Sequence, residues 1–100
     1  MAKLKKLGES DITIRLQKLP QWKLVNGKLH RDYKFVDFVQ AFSFMSSVAL
    51  MAEGIHHHPE WFNVWNVVKI DLSTHDAGGI GELDFTLASK IEELAKSLGQ

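Results

Sequence analysis

The sequence predicts an α+β fold: an α-β-β-α-β-β-α sandwich, a four-stranded antiparallel sheet with helices on one face. Three observations predict it. Segments 22–35 and 60–74 each read as a β-hairpin. A long apolar-rich helical pattern separates them, and a second amphipathic pattern follows. The 100 residues hold no repeat, low-complexity tract or linker. They predict one domain over 1–100, by the usual ~100–200 residues per domain.

Residues 1–9 are polar and are expected to be loose. Ser10-Asp11 is placed to cap a short helix bearing Ile12, Leu16 and Leu19, which Pro20 ends. The run Ile12 to Leu16 also alternates as a strand would; we read a helix. Trp22 to Val25, Asn26-Gly27 and Lys28 to Phe35 form the first hairpin, because Asn-Gly tolerates the positive φ of a two-residue type I′ turn. Leu29, Tyr33 and Phe35 fall on one face, His30, Asp32 and Lys34 on the other.

Asp37 caps the long helix, which reaches Glu53, with Gly54 as its stop. Phe38, Ala41, Phe42, Met45, Ala49 and Ala52 follow helical spacing. A second stripe holds Val39, Phe44, Val48 and Met51. That breadth predicts burial on two sides, one of them a subunit interface, the alternative being a core helix buried all round. In the second hairpin, Trp61 to Trp65 is one strand and Val67 to Thr74 the other, with Asn66 near the turn. Val68, Ile70 and Leu72 alternate with Lys69, Asp71 and Ser73. Ala77 to Gly81 is a loop that lacks the spacing and the lysine of a phosphate loop. The last helix runs from Glu82 to about Leu98, with Leu83, Leu87, Ile91, Ala95 and Leu98 inward and Gly99 as the stop.

Composition narrows the function classes. No cysteine is present, which excludes a disulfide scaffold, a thiolate nucleophile and a thiolate metal site. Twelve basic and twelve acidic residues cancel, which argues against a nucleic-acid binder. The cancellation hides an asymmetry of +6 over residues 1–34 against −6 over 35–100. The longest apolar-rich stretch, Phe35 to Ala52, contains Asp37, Gln40, Ser43, Ser46 and Ser47. A membrane helix needs ~20 mostly apolar residues, so no membrane association is expected. No apolar leader follows the basic first residues, and a cytoplasmic location is expected.

The chemistry gathers on histidines. His56-His57-His58 lies between the long helix and the second hairpin, and His75 follows that hairpin's second strand. Antiparallel pairing brings the two outer ends of a hairpin together, so His75 is predicted to approach the triplet. Three readings stay open on these residues alone: a surface cluster without a role, a metal site, and general acid–base chemistry. Adjacent residues of an extended segment point to opposite sides, which limits how many of the triplet can face one ion. Imidazole titrates near pH ~6.5 and so moves protons at neutral pH. Trp61, Phe62 and Trp65 are placed either to wall such a pocket or to serve as core.

At these residues the sequence resembles a known family. Phe42-x-Phe44-Met45-x-x-Val48-Ala49-Leu50-x-Ala52-Glu53, His57-His58-Pro59-Glu60-Trp61-Phe62-Asn63-Val64 and Leu72-Ser73-Thr74-His75-Asp76 resemble the pterin-4a-carbinolamine dehydratases. The likeness is collinear from about Trp22 to Leu94. It implies the same α-β-β-α-β-β-α sandwich. It also implies dehydration of 4a-hydroxytetrahydrobiopterin, the carbinolamine left by aromatic amino acid hydroxylases, with neither a metal nor a redox cofactor. The family's catalytic histidines fall on His57, His58 and His75, and its supporting acids on Glu53 and Asp84. Trp61 lies inside the matching motif, and Ser73, Thr74 and Asp76 match the segment that lines the pterin. The resemblance further implies a homodimer or homotetramer through the 37–53 helix and sheet edges.

Two positions depart from the family pattern: His56 stands where Asp is frequent, and Gly81 replaces a Ser/Thr cap. The extra imidazole of His56 is expected to alter local charge without a catalytic duty. Nearby carboxylates favour the protonated imidazole, the form a general acid requires. The rival expectation is a non-catalytic interaction module, since mammalian members of the family also act as dimerisation cofactors of a homeodomain transcription factor.

Overall fold

Seven regular elements form in the predicted order. The computed structural model describes residues 5–100. The elements are α1 (Glu9–Leu16), β1 (Lys23–Val25), β2 (Lys28–Lys34), α2 (Phe38–Gly54), β3 (Glu60–Val64), β4 (Val67–Leu72) and α3 (Glu82–Ser97). A short 3-10 turn covers His75–Ala77. The strands pair antiparallel in the order β1-β2-β4-β3, which leaves β1 and β3 at the edges.

Register sets the two faces of the sheet. Leu29, Arg31 and Tyr33 of β2 stand opposite Leu72, Ile70 and Val68 of β4. All of these apolar side chains are buried against α2 and α3, in a core with Phe44, Val48, Leu87 and Ile91. The alternate residues, among them His30, Asp32, Lys69 and Asp71, occupy the uncovered face. The first turn is as expected: Asn26 and Gly27 both take positive φ, 51° and 77°.

Several local expectations are corrected. Residues 1–4 lie outside the described residues, but Leu7 is tied down. Its N–H donates to Ile80 O at 2.7 Å, and its side chain packs on the core. Helix α1 starts at Glu9 behind Gly8, and Ser10-Asp11 does not cap it. Strand β3 ends at Val64, so Trp65 belongs to the turn, with φ of 48°. Buried Asn66 pins that turn by exchanging bonds with the Phe35 backbone. Strand β4 stops at Leu72, because Thr74 pairs with Gly79 instead.

In α2 the two stripes separate differently from the prediction. Ala41, Phe44, Val48 and Ala52 face the core, while Phe38, Val39, Phe42, Ala49 and Leu50 are exposed. A helix apolar on both sides does not reveal which stripe meets the sheet; Phe44 and Val48 do, because they pack with Tyr33 and Phe35. In α3, Phe85 and Ala88 join the buried set, and so do two acids, Asp84 and Glu92. Leu83 and Leu98 are only half-buried.

Glu92 anchors the other end of the core. Its Oε1 accepts from Tyr33 Oη at 2.6 Å, Trp22 Nε1 at 3.0 Å and Arg31 Nε at 3.3 Å. Burial works against its charge, and these donors overcome that effect, so its carboxyl lies below the ordinary range.

Candidate active site

Two helix ends build the site. Asp37 caps the start of α2 through its carboxylate, which accepts from Gln40 N at 2.8 Å. The other end of α2 closes with a pair of backbone bonds. His56 N–H donates to Glu53 O, and His57 N–H donates to Ala52 O, at 3.2 and 3.0 Å. This is the Schellman arrangement, whose pivot takes the left-handed conformation. The pivot is His56, at φ 54°, and Gly54 is still helical. Histidine is one of the few side chains enriched there. The stop expected at Gly54 therefore falls two residues later, and it fixes the backbone from which His57 projects.

The second end is the start of α3. Gly81 caps it, and the Asp84 carboxylate reaches back to accept from Gly81 N–H at 2.8 Å. Asp84 is fully buried. A buried carboxylate is tolerated only when donors surround it. Oδ2 accepts from Gly81 N–H and from the Thr74 hydroxyl at 2.8 Å, and Oδ1 accepts from His57 Nε2 at 2.5 Å. A carboxylate only accepts, so the His57 proton sits on Nε2. His57 Nδ1 makes no hydrogen bond among the described residues.

His58 makes a different pair. Its Nε2 donates to Glu53 Oε1 at 2.8 Å, and both side chains are exposed. The hydrogen bond and charge of His58 hold the Glu53 carboxyl below its ordinary value. His75 opens the 3-10 turn after β4 and makes no side-chain hydrogen bond among the described residues.

A cleft of about 240 Å³ brings the predicted groups together. His56, His57, His58, Ser73, His75 and Asp76 line it, with Thr74 and Leu83. Its volume lies below the ~300–1,000 Å³ of pockets for drug-sized ligands and suits a small heterocycle. Asp84 lies behind His57 and Glu53 beside His58. The aromatic wall is not there. Trp61 packs on the core from β3, opposite Ile70, while Phe62 and Trp65 are exposed elsewhere. The hairpin register explains this, since it directs Trp61 to the helix face and Phe62 to the open face. Leu83, whose helical spacing predicts a core position, lines the cleft instead. Among the described residues no group of three or more His, Asp or Glu is placed to hold a metal ion.

The profile of the pterin 4 alpha carbinolamine dehydratase family matches residues 5–94. The chain belongs to this family. Among curated proteins, one from Solibacter usitatus named "Putative pterin-4-alpha-carbinolamine dehydratase" is 59% identical over 90 residues, covering 90% of this chain and 95% of its own. A protein of the same name from Synechococcus is 51% identical over 88 residues, covering 88% and 95%. A crystal structure titled transcriptional coactivator/pterin dehydratase, from Brucella melitensis, superposes with a TM-score of 0.87 at 43% identity, covering 91% of this chain and 99% of that one. The cleft described above is thus the candidate active site of a pterin dehydratase fold. No helix among the described residues is long and apolar enough to cross a membrane.

Proposed function

We propose that this chain eliminates water from 4a-hydroxytetrahydrobiopterin to give quinonoid dihydropterin, in tetrahydrobiopterin recycling. The observation that carries the reading is one cleft lined by four imidazoles, one of them held by a buried carboxylate. The reaction breaks the C4a–O bond and removes the N5 proton, and the electron pair left on N5 forms the C4a=N5 double bond. Hydroxide leaves poorly, so a general acid must protonate the 4a-hydroxyl as it departs. A general base takes the N5 proton. His57, His58 and His75 supply these two roles, and Ser73, Asp76 and the His56 imidazole line the space around the pterin. Acid–base help of this kind contributes typically ~10²–10⁴-fold. The reading calls for no metal ion or redox cofactor, because the pterin is the substrate. An aromatic amino acid hydroxylase supplies the carbinolamine, and a cytoplasmic location fits that link. Stopped-flow absorbance of freshly made carbinolamine tests the reading. Acceleration by the protein is expected, and a rate equal to the protein-free control overturns it.

One observation favours a second role as an interaction module. Val39, Phe42 and Leu50 are 71%, 57% and 77% exposed on the side of α2 away from the sheet, with Phe38 beside Phe42. Large apolar side chains exposed together on one side of a helix mark a protein contact. A homodimer or homotetramer through α2, aided by the free edges of β1 and β3, would cover it. The coactivator title of the Brucella protein is in keeping with such a surface serving other partners.

A further inference from the structure

We infer that Thr74 is a positioning residue, whose buried hydroxyl fixes the Asp84 carboxylate that holds His57. The inference rests on the dehydratase reading of the cleft. Thr74 borders the cleft, yet it is only 4% exposed. Its two donors are already committed. Oγ1 donates to Asp84 Oδ2 at 2.8 Å. Its N–H donates to Gly79 O at 2.7 Å, and its carbonyl accepts from Ala77 N–H at 3.0 Å. The hydroxyl proton is the only one it has, so none remains to donate to a pterin.

The same contact explains the orientation of Asp84. Oδ2 is clamped between a hydroxyl and the Gly81 N–H, so Oδ1 is turned to His57. Space is tight here too: a Cβ on Gly81 would lie 3.1 Å from Thr74 Oγ1. Removing the hydroxyl leaves Oδ2 with one donor and frees the carboxylate to rotate about its bond. His57 then loses its fixed partner, although nothing that touches the substrate has changed. The expected signature is a loss in kcat with KM retained.

Thr74→Val and Thr74→Ser test this, each alone and in an Asp84→Asn background. Carbinolamine dehydration gives kcat and KM, and ¹⁵N NMR of the ligand-free protein reports the His57 ring. Thr74→Val is expected to lower kcat about tenfold, the size of one charge-assisted hydrogen bond, with KM within about twofold. It should move the His57 nitrogen resonances, and Thr74→Ser should restore most of both signals. In the Asp84→Asn background Thr74→Val should add nothing further. A raised KM at unchanged kcat overturns the inference, because it marks a ligand contact. An equal loss in both backgrounds, or unmoved His57 resonances, also overturns it. If Thr74→Val fails to fold, Thr74→Ala carries the same comparisons. If the wild type proves inactive on the carbinolamine, the dehydratase reading fails and the NMR arm still decides whether Thr74 positions His57.

Discussion

Nε2 of His57 lies 2.5 Å from Oδ1 of Asp84, across 27 residues of sequence and out of contact with water on the carboxylate side. The neighbouring pair, His58 and Glu53, is a similar hydrogen bond in the open. Burial makes the two pairs unequal, because a charge interacts strongly only where water does not screen it.

Replacing the two acids should separate them. Asp84→Ala strips partners from His57, the Thr74 hydroxyl and the Gly81 N–H, and should cost about 3 kcal/mol of stability. Glu53→Ala should leave the urea midpoint unchanged. Paired urea titrations check this, and equal midpoints in the two variants would contradict the assigned burial.

On the open face of the sheet, His30 Nδ1 lies 2.8 Å from Asp71 and Nε2 lies 2.7 Å from Asp32. Partial burial lowers the His30 pKa, but the hydrogen bonds and charges of Asp71 and Asp32 outweigh it, and the net direction is upward. A raised folded-state value gives stability that is complete below the unfolded value of ~6.5 and fades as pH rises through the folded one. The urea-midpoint gap between wild type and His30→Gln should be largest below about pH 6.5 and shrink above it. A gap independent of pH would contradict the two-carboxylate arrangement.

Glu92 should behave in the opposite sense. Its depressed carboxyl gives stability that is present above the ordinary value of ~4.3 and lost as pH falls through the folded one. Glu92→Ala leaves Arg31, Tyr33 and Trp22 without their shared acceptor and should cost about 3 kcal/mol at neutral pH. Trp22→Phe removes one of the donors and should cost about 1 kcal/mol. Denaturant curves at neutral and acid pH check both, and the Glu92 effect should narrow on acidification.

The exposed apolar side of α2 should control assembly. Phe42→Asp places a charge in the middle of it, between Val39 and Leu50. Light scattering should show the mass of this variant falling to that of a smaller species, with the far-ultraviolet spectrum retained. An unchanged mass would contradict an α2 interface.

The fold was legible because its signals are local. Asn26-Gly27 demands the turn it makes, Asp37 caps the helix it precedes, and the alternation of Val68, Ile70 and Leu72 names the buried face of β4. The meeting of His75 with the triplet followed from hairpin geometry alone. Three features were not legible, each for its own physical reason. The stop of α2 moved to His56 because two backbone bonds, rather than a glycine, define it. The side of α2 that meets the sheet was ambiguous because both sides are apolar. Asp84, Glu92 and the hydroxyl of Thr74 look like surface polar groups in sequence, and only partners far along the chain make their burial tolerable. The likeness to the dehydratases pointed to Asp84, His57 and Thr74 but not to the hydrogen bonds that join them.

The most direct measurement is turnover of the carbinolamine by His57→Ala, His58→Ala and His75→Ala, each compared with wild type at neutral pH. A loss of ~10²-fold or more is expected for His57→Ala and for at least one of the other two, since an acid and a base are both required. Near wild-type turnover in all three variants would contradict the acid–base assignment of these histidines.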